Sequence, residues 1–315
     1  GAEDAGGEGL RGGRVSATAS PTSIGEGDSG RRAIHGIGAS PGIAIGPAFR
    51  FVKVDLDVEQ RSVEDPEAEW ERFGAALETA KEQLEEVHTK AEAETGADEA
   101  AIFEAHMMML EDPELREQVR TTIEEEEINA EAALHEAAES YAQILEGMED
   151  EYLSGRAADV RDVAERVVRI LLDVPNSPTA GLDRPSIILA RDLTPSDTVL
   201  LDKSLVLGFC TAEGGRTSHT AILARGLGLL AVVGAGSEVL AVAEGEKLVL
   251  DGAAGSLLAG MGEDTVDTYE AKQERIKAIL EEARENAAEA AVTADGKQVE
   301  VVANIGNVDG AEAAA

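Results

Sequence analysis

Cysteine occurs once in the 315 residues, at Cys210, so no disulfide can form within the chain. That usage fits a reducing cytoplasm. Aromatic residues are scarce too, at 3%, against 43% hydrophobic residues overall. A sizeable core must therefore be built from Ala, Leu, Val and Ile. Basic residues are outnumbered, 27 Lys and Arg against 63 Asp and Glu, which gives a formal net charge of -36. A surface of that sign repels nucleic-acid phosphates and anionic lipids, and it excludes DNA binding as the main activity. The excess acid reads as a solvated surface, with adaptation to salt as an alternative. No run approaches the roughly 18 apolar residues of a membrane-spanning helix. The first 30 residues lack the apolar centre of a secretory signal. The chain does not begin with Met and stops shortly after a strand-like run, so both ends suggest a piece of something longer.

What is present divides into blocks, and the length suits about two domains. Residues 1–33 are rich in Gly, Ser and acid and read as a disordered tail. From Ile37 to Val54, Gly and Pro alternate with β-branched residues, as in a strand pair or a strand with a tight entry turn. Over 64–172 the period is helical. Trp70, Phe73, Leu77, Ala80, Leu84, Val87 and Ala91 form one apolar stripe that Gly96 breaks. Ile102, Phe103 and Leu110 mark a second helix, and Leu115, Val119 and Ile123 continue after Pro113. A further helix carries Ala133, Leu134, Ala137, Tyr141, Ile144 and Leu145. After a connection at about Glu149–Arg156, another runs through Val160, Val163, Val167 and Leu171. Short connections between such helices predict a bundle.

From 173 to 262 the period changes again. Apolar runs at Ile187–Leu189, Leu205–Leu207, Leu230–Val233 and Leu248–Leu250 alternate with helical stretches near 196–202 and 218–227. That alternation predicts an α/β domain. Residues 34–63 are expected to join it, which makes the helical block an insertion. Residues 263–291 read as a charged connecting helix. Within 292–315, Val299–Asn304 reads as the first strand of another domain.

One segment stands out for chemistry: GGRTSHTAILAR, from Gly214 to Arg225, between a strand and a helix. Gly214 and Gly215 allow close approach of a phosphate, and a helix start offers free N–H groups. Arg216, Thr217, Ser218 and Thr220 add donors around His219, whose imidazole could attack phosphorus. A histidine that merely caps the helix is the competing reading. Nearby, Met107, Met108 and Met109 span roughly 200° of a helix, so they cannot all face the core. With Phe103 and Leu110 inward, Met108 points out, as an adaptable partner contact or as an ordinary surface residue. His35, His88 and His135 lack any Gly-rich or hydroxyl context and read as structural or surface groups. Cys210 reads as a buried small residue, and no His, Cys and Asp grouping has metal-binding spacing.

The GGRTSHTAILAR run is similar to the phosphohistidine signature of the phosphoenolpyruvate-utilising enzymes. Four further segments resemble enzyme I of the sugar phosphotransferase system, in order: GIGASPGIAIGPAF (Gly36–Phe49), AIFEAHMMMLEDPEL (Ala101–Leu115), DEYLSGRAADVRD (Asp150–Asp162) and DLTPSDT (Asp192–Thr198). The resemblance implies an α/β phosphohistidine (swivelling) domain with an inserted all-α helical bundle, and the start of a truncated C-terminal barrel. It implies that His219 takes a phosphoryl group from phosphoenolpyruvate and passes it to a histidine of the carrier HPr, with Thr198 hydrogen-bonded to the active histidine. It places an HPr-docking face on the second helix, with His106, Met108 and Met109 and the acids Asp98, Glu111 and Asp112. Ala97 and Asp98 stand where the family often has an acidic pair, which lowers the charge there. Mg²⁺ is implied for the whole enzyme, with its ligands and the phosphoenolpyruvate site in the part beyond this chain. A dimer is likewise implied only for the full length. A dikinase- or synthase-like enzyme and a non-enzymatic HPr-binding module are the alternatives. An HPr or sensory domain ahead of residue 1, and the sugars served downstream, stay open.

Overall fold

The apolar runs become strands of one sheet and the apolar stripes become helices laid against it. The computed structural model describes residues 31–300 except 54–55, 176–178, 180, 217, 287–289 and 294. The strands are β1 (Arg32–His35), β2 (Ile37–Gly38), β3 (Ile43–Arg50), β4 (Ser186–Ala190), β5 (Val206–Thr211), β6 (Ala231–Val233), β7 (Lys247–Asp251) and β8 (Ser256–Ala259). They are ordered β1-β8-β7-β3-β4-β5-β6-β2. The centre, β3 to β6, is parallel, and the flanking pairs are antiparallel. One stretch of chain serves both edges: β1 lies on β8, and after Gly36 the chain pairs as β2 with β6. The edges therefore meet and the sheet closes on itself, leaving little exposed edge. Gly36 makes the crossing feasible. A Cβ there would stand 2.7 Å from the Val233 carbonyl oxygen, too close for any side chain.

Five helices interrupt the sheet between β3 and β4: α1 (Pro66–Thr95), α2 (Ala97–Leu110), α3 (Pro113–Glu126), α4 (Ala130–Glu146) and α5 (Glu151–Leu171). Asp65 caps α1 by accepting from Ala68 N, and Pro66 opens it with no N–H to satisfy. Gly96, at φ +105°, ends it. The crossovers β4–β5 and β5–β6 carry α6 (Pro195–Leu200) and α7 (His219–Gly226), and α8 (Glu263–Glu285) follows β8. On β4 the pleat sorts side chains: Ile188 and Ala190 join the helical core, whereas Ile187 and Leu189 pack inside the sheet with Val232, Leu248 and Leu257. Lys272 of α8 reaches the buried Asp251 carboxylate at 2.7 Å, and Gln273 donates to the Ile43 carbonyl, which seats α8 on the sheet.

Several readings need correcting. Pairing starts at Arg32, inside the segment read as tail, and β1 and β8 were not foreseen. The fifth helix begins at Glu151, not after Arg156, because Asp150 caps it through Leu153 N. Ile144 is 60% exposed although its spacing suggested burial. Val292 and Gln298 form an isolated antiparallel bridge, and of the strand expected at 299–304, residues 301–304 lie outside the described part. No helix among the described residues is long and apolar enough to cross a membrane.

Candidate active site

The loop from β5 to α7 is pinned at both ends. Thr211 Oγ1 donates to the Glu213 carbonyl at 2.7 Å, and Gly234 N donates to the same oxygen at 3.0 Å. Gly214 then turns the chain at φ +100°, a conformation that favours glycine. Ser218 is the cap of α7: its hydroxyl donates to the Gly215 carbonyl and accepts from Ala221 N. His219 follows as the first residue of α7, at the surface. Partial burial pushes its pKa below the ordinary 6.5. Arg156 and His106 add to that shift, and Asp159 opposes it. The shift favours the neutral imidazole, whose lone pair can attack.

The predicted donors do not all converge. Arg216 is exposed. Thr220 is buried and its hydroxyl is spent on the Leu193 carbonyl at 2.6 Å. Thr198 is fully buried, and its hydroxyl donates back to the Thr194 carbonyl at 2.9 Å rather than to His219. Thr217 lies outside the described residues.

On α2, Met108 is 67% exposed and Met109 is half-buried. Met109 borders a small apolar pocket with Phe73, Leu115, Tyr141 and Val160. Asp98 is exposed, and so is Glu111, which is paired with Lys81. Asp112 spends its carboxylate on capping α3 through Glu114 N and Leu115 N. His106 does not reach this face: it is fully buried, and neither ring nitrogen has a hydrogen bond. Leaving such a group unsatisfied costs about 1–3 kcal/mol. Cys210 is buried as expected, and burial pushes its thiol up to about 12, which rules it out as a nucleophile.

With the geometry in place, the comparisons decide the family. Residues 35–156 match the family described as PEP-utilising enzyme, N-terminal, and residues 182–255 match PEP-utilising enzyme, mobile domain. Among solved structures, an enzyme I protein determined by NMR aligns with a TM-score of 0.63 and 42% identity, over 78% of this chain and 99% of that one. The chain belongs to the enzyme I family. Other members agree. The N-terminal domain of a nitrogen-type enzyme I aligns with a TM-score of 0.54 and 27% identity, over 76% of this chain and 98% of that one. The phosphoenolpyruvate-protein phosphotransferases of Bacillus sp. (strain S) and Geobacillus stearothermophilus are each 44% identical over 88% of this chain. The chain spans about half the length of these curated relatives, 48% in each case.

Within this enzyme I fold, sequence reasoning missed the groups that α5 presents to His219. Arg156 and Asp159 act on the imidazole through their charges, and Asp159 is held by Arg156 Nη1 at 3.0 Å. Both sit in the segment DEYLSGRAADVRD, which carries the family resemblance. Nothing in its helical period marks them, because His219 lies 63 residues beyond Arg156 and 60 beyond Asp159.

Proposed function

We propose that the chain is the phosphohistidine half of a phosphoenolpyruvate–protein phosphotransferase of the sugar phosphotransferase system. In this reading His219 carries a phosphoryl group between phosphoenolpyruvate and a histidine of HPr. The observation that carries it is an exposed imidazole at the start of α7, set at the end of a pinned Gly-turn. In transfer from phosphorylated HPr, a ring nitrogen of His219 attacks phosphorus in line. The new N–P bond forms as the N–P bond to the carrier breaks, and the carrier imidazole leaves. The first N–H groups of α7 and the Arg156 guanidinium meet the phosphoryl charge. Met108, Met109 and the surrounding acids of α2 hold the carrier. Phosphoenolpyruvate binding is assigned to the half of the relatives' length that this chain does not span. Among the described residues no group of three or more His, Cys, Asp or Glu side chains is placed to hold a metal ion, so no step here is routed through Mg²⁺.

The direct test is labelling. Phosphorylated HPr is expected to place acid-labile phosphate on the chain, and phosphoenolpyruvate alone is expected to place none. Label from phosphoenolpyruvate would sink the division of labour, and no label from either donor would sink the phosphohistidine reading. The pH profile follows from the lowered pKa. Only neutral imidazole attacks, so the rate of phosphoryl uptake should hold as pH falls through 6.5 and decline only below it. A decline centred above 6.5 would contradict this. Met108→Lys, at an exposed position that caps nothing, should raise KM for HPr by about 10-fold or more with kcat held, as for loss of an interface anchor.

A further inference from the structure

His106 lies on α2 but inside the protein, where it packs edge-on against Phe103 with ring centres 5.9 Å apart. Its two nitrogens face two carboxylates of α5. Nε2 stands 3.5 Å from Asp159 Oδ1 and Nδ1 stands 3.9 Å from Asp162 Oδ2, and neither contact is a hydrogen bond. The other oxygen of Asp159 holds Arg156 Nη1 at 3.0 Å. Asp162 Oδ2 accepts from Ser196 Oγ of α6 at 3.3 Å. A continuous polar row thus runs Arg156–Asp159–His106–Asp162–Ser196, and Asp159, Arg156 and His106 lie within electrostatic reach of His219.

A buried imidazole with unfilled hydrogen bonds calls for an account, and a side chain with no exposed surface cannot touch a docked carrier. Its polar contacts are with the two carboxylates. Asp159 and Asp162 stand one turn apart on α5, where like charges repel. A ring set between them gives each a polar neighbour and leaves Asp159 turned toward Arg156.

We infer that His106 is a positioning residue for phosphoryl transfer at His219: through Asp159 it holds the Arg156 guanidinium where the phosphoryl oxygens arrive. The inference rests on the phosphohistidine reading of His219. His106 itself makes or breaks no bond in the reaction and exchanges no proton with His219. Displacing Arg156 by even an ångström weakens its grip on charge that builds during transfer, so the cost falls on kcat.

The test measures phosphoryl uptake from phosphorylated HPr over a range of carrier concentrations, for the intact chain, His106→Gln, Asp159→Asn and the double variant. His106→Gln is expected to lower kcat by about 10-fold with KM for HPr unchanged. The double variant should be no slower than the slower single one, because both act through the same guanidinium. The Arg156 Nε–H resonance should move in His106→Gln without phosphate or carrier present. If His106→Gln does not fold, His106→Asn carries both readouts. An unchanged kcat with an unmoved Arg156 signal overturns the inference. A raised KM with kcat intact overturns it too and returns His106 to the docking surface. Failure of the intact chain itself to take label falls on the reading of His219, and the Arg156 resonance then still decides whether His106 positions that group.

Discussion

His219→Ala is expected to remove the acid-labile label from phosphorylated HPr entirely, a loss of at least about 10³-fold in transfer, while carrier binding and the melting temperature stay near those of the parent. The separation follows from where the side chain sits. His219 is exposed at the first position of α7, and the Ser218 cap is left intact. Its neighbours in the fold, Thr220 and Ser218, hold their partners with no help from the imidazole: Thr220 bonds the Leu193 carbonyl and Ser218 bonds the Gly215 carbonyl. Removing the ring therefore deletes the nucleophile and little else. Exposed substitutions of this kind stay within about 0.5 kcal/mol. Label retained on His219→Ala would place the phosphoryl group elsewhere. His88, half-buried beside Glu104, and the exposed His35 and His135 are then the residues to examine.

The helices were legible because their signal is local and repeated. In α1, Phe73, Leu77, Ala80, Leu84, Val87 and Ala91 recur over about five turns, and all of them are buried. Strand β8 was not legible: SLLA is four residues long and finds its partners in β7 and in β1, more than 200 residues away. The same contrast holds in the site. The turn at Gly214 and the helix start at His219 could be read from residue types, since positive φ and capping are local demands. The partners of Thr198 and Thr220 could not, because a hydroxyl takes whichever carbonyl the tertiary fold brings to it. His106 is the instructive case. The step of about 100° per residue that turns Met108 outward also places His106, three after Phe103 and four before Leu110, on the buried face. Periodicity and family resemblance disagreed there, and the fold follows the periodicity.

The largest stability loss is expected at Glu131, none of whose partners belongs to the candidate site. Its carboxylate is 1% exposed at the start of α4 and pairs with both Arg61 and Arg72. Arg72 also holds Glu69 and donates to the Leu171 carbonyl, so one carboxylate ties α1, α4, the end of α5 and the segment before α1. Asn129 reinforces the joint by accepting from Arg61 N at 2.6 Å. Burial alone would raise the pKa of Glu131, but hydrogen bonds from Asn129, its own backbone and Arg72 win and hold it below the ordinary range. Glu131→Ala leaves two guanidiniums facing a vacated pocket. Breaking a buried pair costs about 3–5 kcal/mol, and because both arginines reach solvent the lower end, about 3 kcal/mol, is the expected loss in urea unfolding at pH 7. The sign of the pH dependence is fixed by the lowered folded pKa. The contribution is complete above the unfolded carboxylate value of about 4.3 and is lost as pH falls through the folded value. The gap between parent and Glu131→Ala should therefore narrow below about pH 4. A gap that stays constant between pH 7 and pH 3 would assign the loss to packing of the side chain rather than to its charge.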